Sequence, residues 1–183
     1  MARPDLSIIE TWVPDGARVL DLGCGDGTLL AHLQRRRGVT GYGLEIDPDQ
    51  IQRCIQKGIN VIHADLERGL ADFADDAFDF VVVSQTLQAV HHTENLLDEM
   101  LRVGRQGIVT FPNFGLWRCR WQLLWGHMPV VTTLPYAWYN TPNIHLFTIA
   151  DFERLCRQKP IAILERRVGG VDGRSWWGTR LWP

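Results

Sequence analysis

Short apolar runs alternate with amphipathic segments along the first 111 residues of the chain. The runs are rich in β-branched residues and end at glycines or turns, which is typical of buried strands. The segments between them place apolar residues three or four positions apart and predict helices. Strands joined by helices pair in parallel, with helices on both faces of the sheet. The pattern therefore predicts an α/β three-layer sandwich with a mostly parallel sheet, and its first five strands lie at 18–22, 41–46, 60–64, 78–84 and 107–111.

Further elements are predicted at both ends of this series. A short helix near Pro4–Trp12 precedes the first strand, and residues 148–157 form a helix that Pro160 ends. A sixth strand follows at 161–168. We expect a single domain over the whole chain, 1–183, with an insertion at about 112–147.

The composition excludes several classes of protein. The chain is 45% hydrophobic and 22% charged, which is ordinary for a soluble globular domain. A net charge of −2 gives no electrostatic reason to expect nucleic acid as a partner. The four cysteines form no CxxC pair, so neither zinc nor a disulfide scaffold is indicated. Without a signal peptide or a long apolar span in the sequence, we expect a cytoplasmic protein that does not contact membranes.

A glycine-rich turn follows the first predicted strand and leads into a helix. Glycines at 23, 25 and 27 permit a close approach of the backbone to a ligand. The dinucleotide fingerprint would place its third glycine at position 28, where this chain has Thr28. Asp21, just before the turn, would repel a pyrophosphate but suits a ligand with an ammonium and a sulfonium group. Because Glu45 and Asp65 each close a later strand, the pattern predicts an adenosyl pocket and favours S-adenosylmethionine.

Three segments in this order resemble the class I S-adenosylmethionine-dependent methyltransferases: VLDLGCGDG at 19–27, GYGLEID at 41–47 and VIHADL at 61–66. The resemblance implies a Rossmann-like fold whose sheet finishes with a seventh strand, antiparallel to the others. Residues 169–183 combine glycines with tryptophans and show no strand-like alternation. Either the chain stops before that last strand or a partner completes the sheet edge. We expect the first, with the final antiparallel strand missing.

The same resemblance implies which residues would hold S-adenosylmethionine or its product, S-adenosylhomocysteine. Gly23 and Gly25 would border the methionine part of the ligand, with Asp21 beneath it. Glu45 would accept hydrogen bonds from both ribose hydroxyls, and Asp65 would accept one from the adenine amino group. Ile46 and Leu66 would contact the adenine ring, and the predicted cofactor site is completed by Ser84.

Each of these residues also has a structural alternative. An acid after a strand can cap the next helix, and Asp47, followed by Pro48, is predicted to do so. For Glu45 and Asp65 we prefer ligand binding to capping. Cys24 is interpreted as a small turn residue rather than a nucleophile.

The insertion at 112–147 is rich in aromatic residues, and seven of the eight tryptophans follow residue 111. Its first part, FPNFG at 111–115, looks like the signature of amino methyltransferases that act on DNA or protein. That signature belongs after the fourth strand, whereas here it follows the fifth, so we exclude these substrates. The next part predicts a helix with an aromatic stripe, because apolar residues recur at helical spacing: Phe114, Trp117, Trp121, Leu124 and Trp125.

The stripe has three interpretations, which stay open here. It packs on the sheet as ordinary core, forms a surface for a partner protein, or shapes a pocket for a methyl acceptor. In the last case Tyr139, Asn143 and His145 would bind or deprotonate the acceptor. The adjacent His91 and His92 have no third ligand nearby in sequence, so we expect no metal site.

Five segments together are similar to the MetW family of methionine-biosynthesis proteins: VLDLGCGDG, GYGLEID, SQTLQAV at 84–90, FPNFG and TPNIHLFT at 141–148. The likeness covers nearly the whole chain. It implies a companion of homoserine O-acyltransferase, the enzyme that activates homoserine on the way to methionine. We therefore expect a protein that binds S-adenosylmethionine and supports or regulates this acyltransferase. The alternative is a methyltransferase acting on a small molecule; the catalytic residues and the oligomeric state are left open.

Overall fold

A computed structural model describes residues 5–169 and 176–182 of the chain. Six helices and seven strands lie in this part, and they alternate from Asp5 to β5 except that no α-helix separates β3 from β4. Two short 3₁₀ turns, Leu66–Arg68 and Leu87–Ala89, follow β3 and β4. In chain order the elements are α1 Asp5–Trp12, β1 Arg18–Leu22, α2 Thr28–Arg37, β2 Thr40–Glu45, α3 Pro48–Gln56, β3 Val61–His63, β4 Phe78–Ser84, α4 Thr93–Val103, β5 Gly104–Pro112, α5 Trp117–Leu124, α6 Ile149–Gln158, β6 Ala162–Gly169 and β7 Trp176–Trp182.

All seven strands form one sheet in the order β3-β2-β1-β4-β5-β7-β6. The first five pair in parallel, as the connecting helices require. Both faces of the sheet are covered. Leu20 and Val81 point into a core shared with α4 and α6, whereas their neighbours Val19 and Val82 point into a core shared with α1, α2 and α3. Burial on both faces explains why these strands are apolar without alternation, and the predicted three-layer α/β sandwich is confirmed.

The expectation of a missing last strand is wrong. β7 lies between β5 and β6 and is antiparallel to both, with Leu181 opposite Gly107 on one side and Ile163 on the other. Its sequence shows no alternation because Gly178 and Thr179 occupy buried positions in mid-strand. Backbone pairing with two neighbours holds this strand in place, and that pairing leaves little trace in the sequence. Residues 170–175 of this tail, together with Pro4 and Pro183, lie outside the described residues.

Local signals place most helix ends correctly. The side chain of Asp47 accepts a hydrogen bond from the backbone amide of Asp49 at 2.8 Å, which confirms it as the N-cap of α3. Gly38 ends α2 in the left-handed conformation, with φ of 61°. The aromatic helix α5 begins at Trp117, so Phe114 precedes it and the predicted helix was too long. Within the described ranges, no helix is long and apolar enough to cross a bilayer.

Candidate functional site

The carboxyl ends of β1, β2, β3 and β4 meet at one edge of the sheet. Leu22, the last residue of β1, lies opposite Leu44 and Val83, and Glu45 lies opposite His63. The glycine turn 23–27 and the segments after β2, β3 and β4 therefore leave the sheet side by side. In open parallel sheets this edge is where ligands bind. The strand order thus brings the elements that carry the predicted cofactor residues to one edge of the molecule.

The glycine turn is held in a conformation that only glycine adopts readily. Gly23, Gly25 and Gly27 have φ of 71°, 55° and 73°. A Cβ on Gly23 would lie 2.6 Å from the Thr86 side chain, so this glycine lets the turn pack against the end of β4. A Cβ on Gly25 would meet no atom within 4 Å. Gly25 therefore borders open space, which the backbone of the turn can share with a ligand.

The carboxylate of Glu45 ties the end of β2 to the glycine turn. Its Oε2 accepts a hydrogen bond from the Gly25 amide at 2.7 Å. Its Oε1 accepts from the amides of Ile46 and Asp47, at 2.9 and 3.0 Å. A carboxylate offers about four lone-pair sites, so Glu45 keeps the capacity to accept a further hydrogen bond. The next side chain, Ile46, is 56% exposed and presents an apolar surface at the same edge.

Asp21 is buried in β1, directly below the turn, and is only 2% exposed. Burial, and next to it the negative charge of Asp21, raises the pKa of the neighbouring Cys24 thiol. The Sγ atom of Cys24 lies 3.8 Å from that of Cys54 on α3, and both thiols are buried. A buried thiol with a raised pKa is a poor nucleophile. The arrangement supports the interpretation of Cys24 as a turn residue.

One carboxylate oxygen of Asp65 caps the turn after β3, which is the structural role considered above as an alternative to ligand binding. Its Oδ1 accepts a hydrogen bond from the amide of Glu67 at 3.0 Å and so caps the 3₁₀ turn after β3. Leu66, the first residue of that turn, is half-buried and packs against the main core. The Glu67 side chain in turn accepts from the ring nitrogen of His92, with 2.7 Å between the two atoms. These contacts fix the position of the 3₁₀ turn at the site edge.

Ser84, at the end of β4, belongs to a buried polar cluster. Its hydroxyl donates to the carboxylate of Asp5 on α1 at 2.7 Å and lies 3.1 Å from the hydroxyl of Thr110 on β5. Asp5 itself is 3% exposed. Ser84 therefore lies at the predicted edge, but its side chain links α1, β4 and β5.

Sequence reasoning missed two glutamines beside Ser84. Gln85 has φ of 58°, which is uncommon for a residue other than glycine and marks strain at the end of β4. The Gln88 side chain donates to the Gln85 carbonyl at 2.7 Å. The backbone carbonyl of Gln88 accepts from the backbone amides of Ile144 and His145, at 2.8 and 3.0 Å. The signal in the sequence was a polar Gln-Thr pair immediately after an apolar strand.

The aromatic stripe of the insertion is not core. Trp117, Trp121 and Trp125 are 66%, 57% and 67% exposed, and within α5 only Cys119 is buried. The core interpretation is therefore wrong for this stripe. Helical spacing identified the shared face of the residues, but the same spacing serves a buried and an exposed face equally well.

The three residues predicted for an acceptor pocket do not line a common cavity. His145 lines a cavity of about 630 Å³ between the starts of α4 and α6, together with His91 and His92. Asn143 lines a separate groove of about 190 Å³, and Tyr139 is exposed. In the described part of the chain, no three His, Cys, Asp or Glu side chains are grouped to hold a metal ion.

Comparison with known proteins adds the family. Residues 3–183 match the family model of methionine biosynthesis protein MetW. The chain belongs to the MetW family. A family relative from Rhodopirellula baltica, the bifunctional methionine biosynthesis protein MetXA/MetW, is 40% identical over 97% of this chain. This chain spans only 29% of that relative's length.

Further proteins similar to this chain include several that are named as methyltransferases. An uncharacterized methyltransferase from Mycobacterium tuberculosis is 34% identical over 57% of this chain and 51% of its own. The magnesium protoporphyrin IX methyltransferase of Synechocystis, solved with bound SAH, superposes with a TM-score of 0.72 at 15% identity, covering 97% of this chain and 81% of that one. A possible histamine N-methyltransferase from Thermotoga maritima gives 0.71 at 18% identity, covering 98% and 87%. At such identities the superpositions show the fold alone, which is that of class I methyltransferases.

Proposed function

We propose that this MetW-family protein binds S-adenosylmethionine or S-adenosylhomocysteine at the carboxyl edge of its sheet. In the proposal the bound protein supports homoserine O-acyltransferase in methionine biosynthesis. The observation that supports ligand binding is the position of the Glu45 carboxylate. Its Oε2 accepts from the Gly25 amide at 2.7 Å, beside open space. Ligand binding and partnership rest on different evidence.

The chemistry of the edge fits an adenosyl ligand with a cationic methionine end. Glu45 would accept from a ribose hydroxyl, and the exposed side chain of Ile46 would cover one face of the adenine ring. Asp65 retains an oxygen that is not the one capping the 3₁₀ turn and would accept from the adenine amino group. Asp21 adds negative charge below the turn, which favours an ammonium or a sulfonium over a phosphate. When bound, S-adenosylmethionine supplies an activated methyl group; these residues hold and orient it.

The partner is proposed from the relative in which MetXA and MetW form one polypeptide. Fusion of two proteins in one chain supports their association when they are separate. We take the MetXA part to be the homoserine O-acyltransferase that the family resemblance implies. Since the present chain matches only part of that relative, its own contact with an acyltransferase is a proposal.

Regulation by the ligand requires that the ligand bind the free and the partnered protein with different affinity. A connected set of contacts favours such a difference. Gln85 is strained at the site edge, and its backbone carbonyl accepts a hydrogen bond from the Gln88 side chain. The backbone carbonyl of Gln88 in turn accepts from the amides of Ile144 and His145 in the insertion. A ligand that changes the end of β4 would therefore act on the insertion through Gln88.

The second candidate is methyl transfer to a small molecule. The cavity that Leu87, His91 and His145 help to line favours it, because it opens just after β4. Methyl transfer needs little from the protein beyond alignment of the acceptor with the methyl group. Formation of S-adenosylhomocysteine that depends on an added metabolite would establish this activity.

The deciding experiment measures homoserine O-acyltransferase activity with the acyltransferase of the same organism, with and without this protein. We expect stimulation and co-elution of the two proteins, and a change in either quantity on titration with S-adenosylmethionine. Stimulation of the acyltransferase that does not change with S-adenosylmethionine would refute regulation by the ligand and leave the companion role. No stimulation and no co-elution would overturn the companion role and leave the methyltransferase as the better candidate.

A further inference from the structure

A long segment of the chain contains no acidic residue. The protein has 21 Asp and Glu residues, yet none lies between Met100 and Ala150. Two arginines of this segment, Arg118 and Arg120, lie exposed on α5. The segment includes the whole insertion, so the surface that the insertion forms carries positive charge and aromatic rings without a carboxylate of its own.

Large apolar side chains of this segment are exposed together. We call those on α5 and at its end the aromatic face, and it consists of Trp117, Trp121, Leu124 and Trp125, each more than half exposed. These side chains recur at helical spacing on α5, and exposed apolar patches mark sites of interaction. Trp, Tyr and Arg are also the residues most enriched among binding hot spots.

The aromatic face is organised before any partner binds. The rings of Trp121 and Trp125 meet edge to face at 6.2 Å between centroids, and the Arg118 guanidinium lies 5.4 Å from the Trp117 ring centroid. The Gln122 side chain accepts from the Val130 amide at 2.9 Å and so ties α5 to the loop that follows it. Side chains held in this way lose little conformational entropy on binding, which favours affinity.

The charges of this surface select the kind of partner. In a symmetric contact between two copies, the same patch lies on both sides. Arg118 and Arg120 would then meet cations and no carboxylate from residues 100–150. A complementary surface must instead supply both an apolar area and acidic side chains. This face cannot provide these for a second copy of itself, so we favour a different molecule as the partner.

We propose that the aromatic face docks on an apolar surface of the acyltransferase that is bordered by Asp and Glu side chains. The inference rests on the proposed companion role and adds which surface makes the contact. The apolar rings supply the buried centre of the interface, and Arg118 and Arg120 supply its charged border. Since opposite charges steer association, binding should weaken as salt is raised.

The test measures the dissociation constant of the purified acyltransferase with this protein and with variants Trp121→Ala and Arg118→Glu. Truncation of a central tryptophan is expected to weaken binding roughly 30-fold. The charge reversal should slow association and reduce its dependence on salt. Ile55→Ala is the matched control, because Ile55 is an exposed apolar residue on α3, a helix outside the insertion. Alanine favours helix, so Trp121→Ala should keep the unfolding midpoint and the affinity for S-adenosylmethionine of the parent protein.

The outcomes separate this inference from the proposed function. If the parent protein forms no complex with the acyltransferase, the companion role fails and the docking surface fails with it. If the parent and the Trp121 variant bind equally well, the companion role stands and this surface is wrong. Binding to vesicles of equal parts phosphatidylglycerol and phosphatidylcholine tests the alternative that this face contacts a membrane. Loss of vesicle binding in Trp121→Ala, with acyltransferase binding intact, would assign the aromatic face to a membrane and overturn the proposal.

Discussion

Glu45→Ala is the substitution that most directly probes the proposed cofactor site. The parent carboxylate lies at the end of β2 and accepts hydrogen bonds from the amides of Gly25, Ile46 and Asp47. Alanine removes the proposed acceptor for the ribose and also the tether that holds the glycine turn. Both effects act in the same direction, toward weaker binding of the adenosyl ligand.

The magnitude follows from the kind of hydrogen bond that is lost. A hydrogen bond to a charged group contributes about 1.5–3 kcal/mol, which corresponds to a loss of affinity of roughly 10- to 150-fold. Because the carboxylate already accepts three backbone hydrogen bonds, it is positioned without the ligand. Little reorganisation accompanies binding, so the loss should reach the middle of this range or exceed it.

Isothermal titration calorimetry with S-adenosylmethionine and S-adenosylhomocysteine measures the effect on both ligands. Glu45→Gln keeps one acceptor oxygen, so we expect an intermediate affinity for this variant. Asp49→Asn, which changes an exposed acid of α3, is the control and should bind as the parent does. If Glu45→Ala binds both ligands with the parent's dissociation constant, the ribose is not held by Glu45 and the reasoning is refuted.

Three further predictions address the pH dependence, the sheet and the link to the insertion. Burial raises the pKa of Asp26, but Lys57, 2.6 Å away, and hydrogen bonds from Thr28 outweigh it, and the pKa falls from 3.8 to about 2. The stabilisation that this lowered pKa provides is complete above pH 3.8 and is lost as the pH falls through about 2. The unfolding free energy of Asp26→Asn, measured with urea, should therefore change less than that of the parent between these pH values. A Cβ on Gly41 would lie 1.7 Å from a carbonyl oxygen of β1, so Gly41→Ala should lower the unfolding free energy by at least about 2 kcal/mol, and by more than Gly58→Ala, whose Cβ meets nothing. Gln88→Ala should reduce the effect of S-adenosylmethionine on acyltransferase affinity, measured as the ratio of dissociation constants with and without ligand, while ligand affinity itself stays within about threefold.

For each of these predictions a specific result would be contrary. An Asp26→Asn protein that loses stability with acid as steeply as the parent would show that the contacts of Asp26 with Lys57 and Thr28 contribute little. A Gly41→Ala protein as stable as Gly58→Ala would mean that β1 and β2 separate without cost. An unchanged ratio in Gln88→Ala would exclude the glutamine as the route between the two sites.

Much of this molecule was predictable from its sequence because the signals are local. Apolar runs and helical periodicity located β1 to β5 and the helices between them, and those helices required parallel pairing. The glycines at 23, 25 and 27 and the cap at Asp47 reflect backbone conformations that neighbouring residues decide. The parallel order then brought the glycine turn and the ends of β2 and β3 to one edge, as the sequence had predicted.

Other features depended on contacts between distant parts of the chain. β7 is a strand because β5 and β6 pair with it from both sides, whereas its own residues, with a glycine and a threonine at the centre, do not alternate. Ser84 lies at the predicted edge, yet its hydroxyl meets Asp5, 79 residues away in sequence. The polar pair after β4 marked Gln85 in the sequence, but its positive φ is seen only in the folded structure. The exposure of Trp117 and Trp121 could not be predicted either, because periodicity shows that residues share a face and only the packed structure decides what, if anything, covers it.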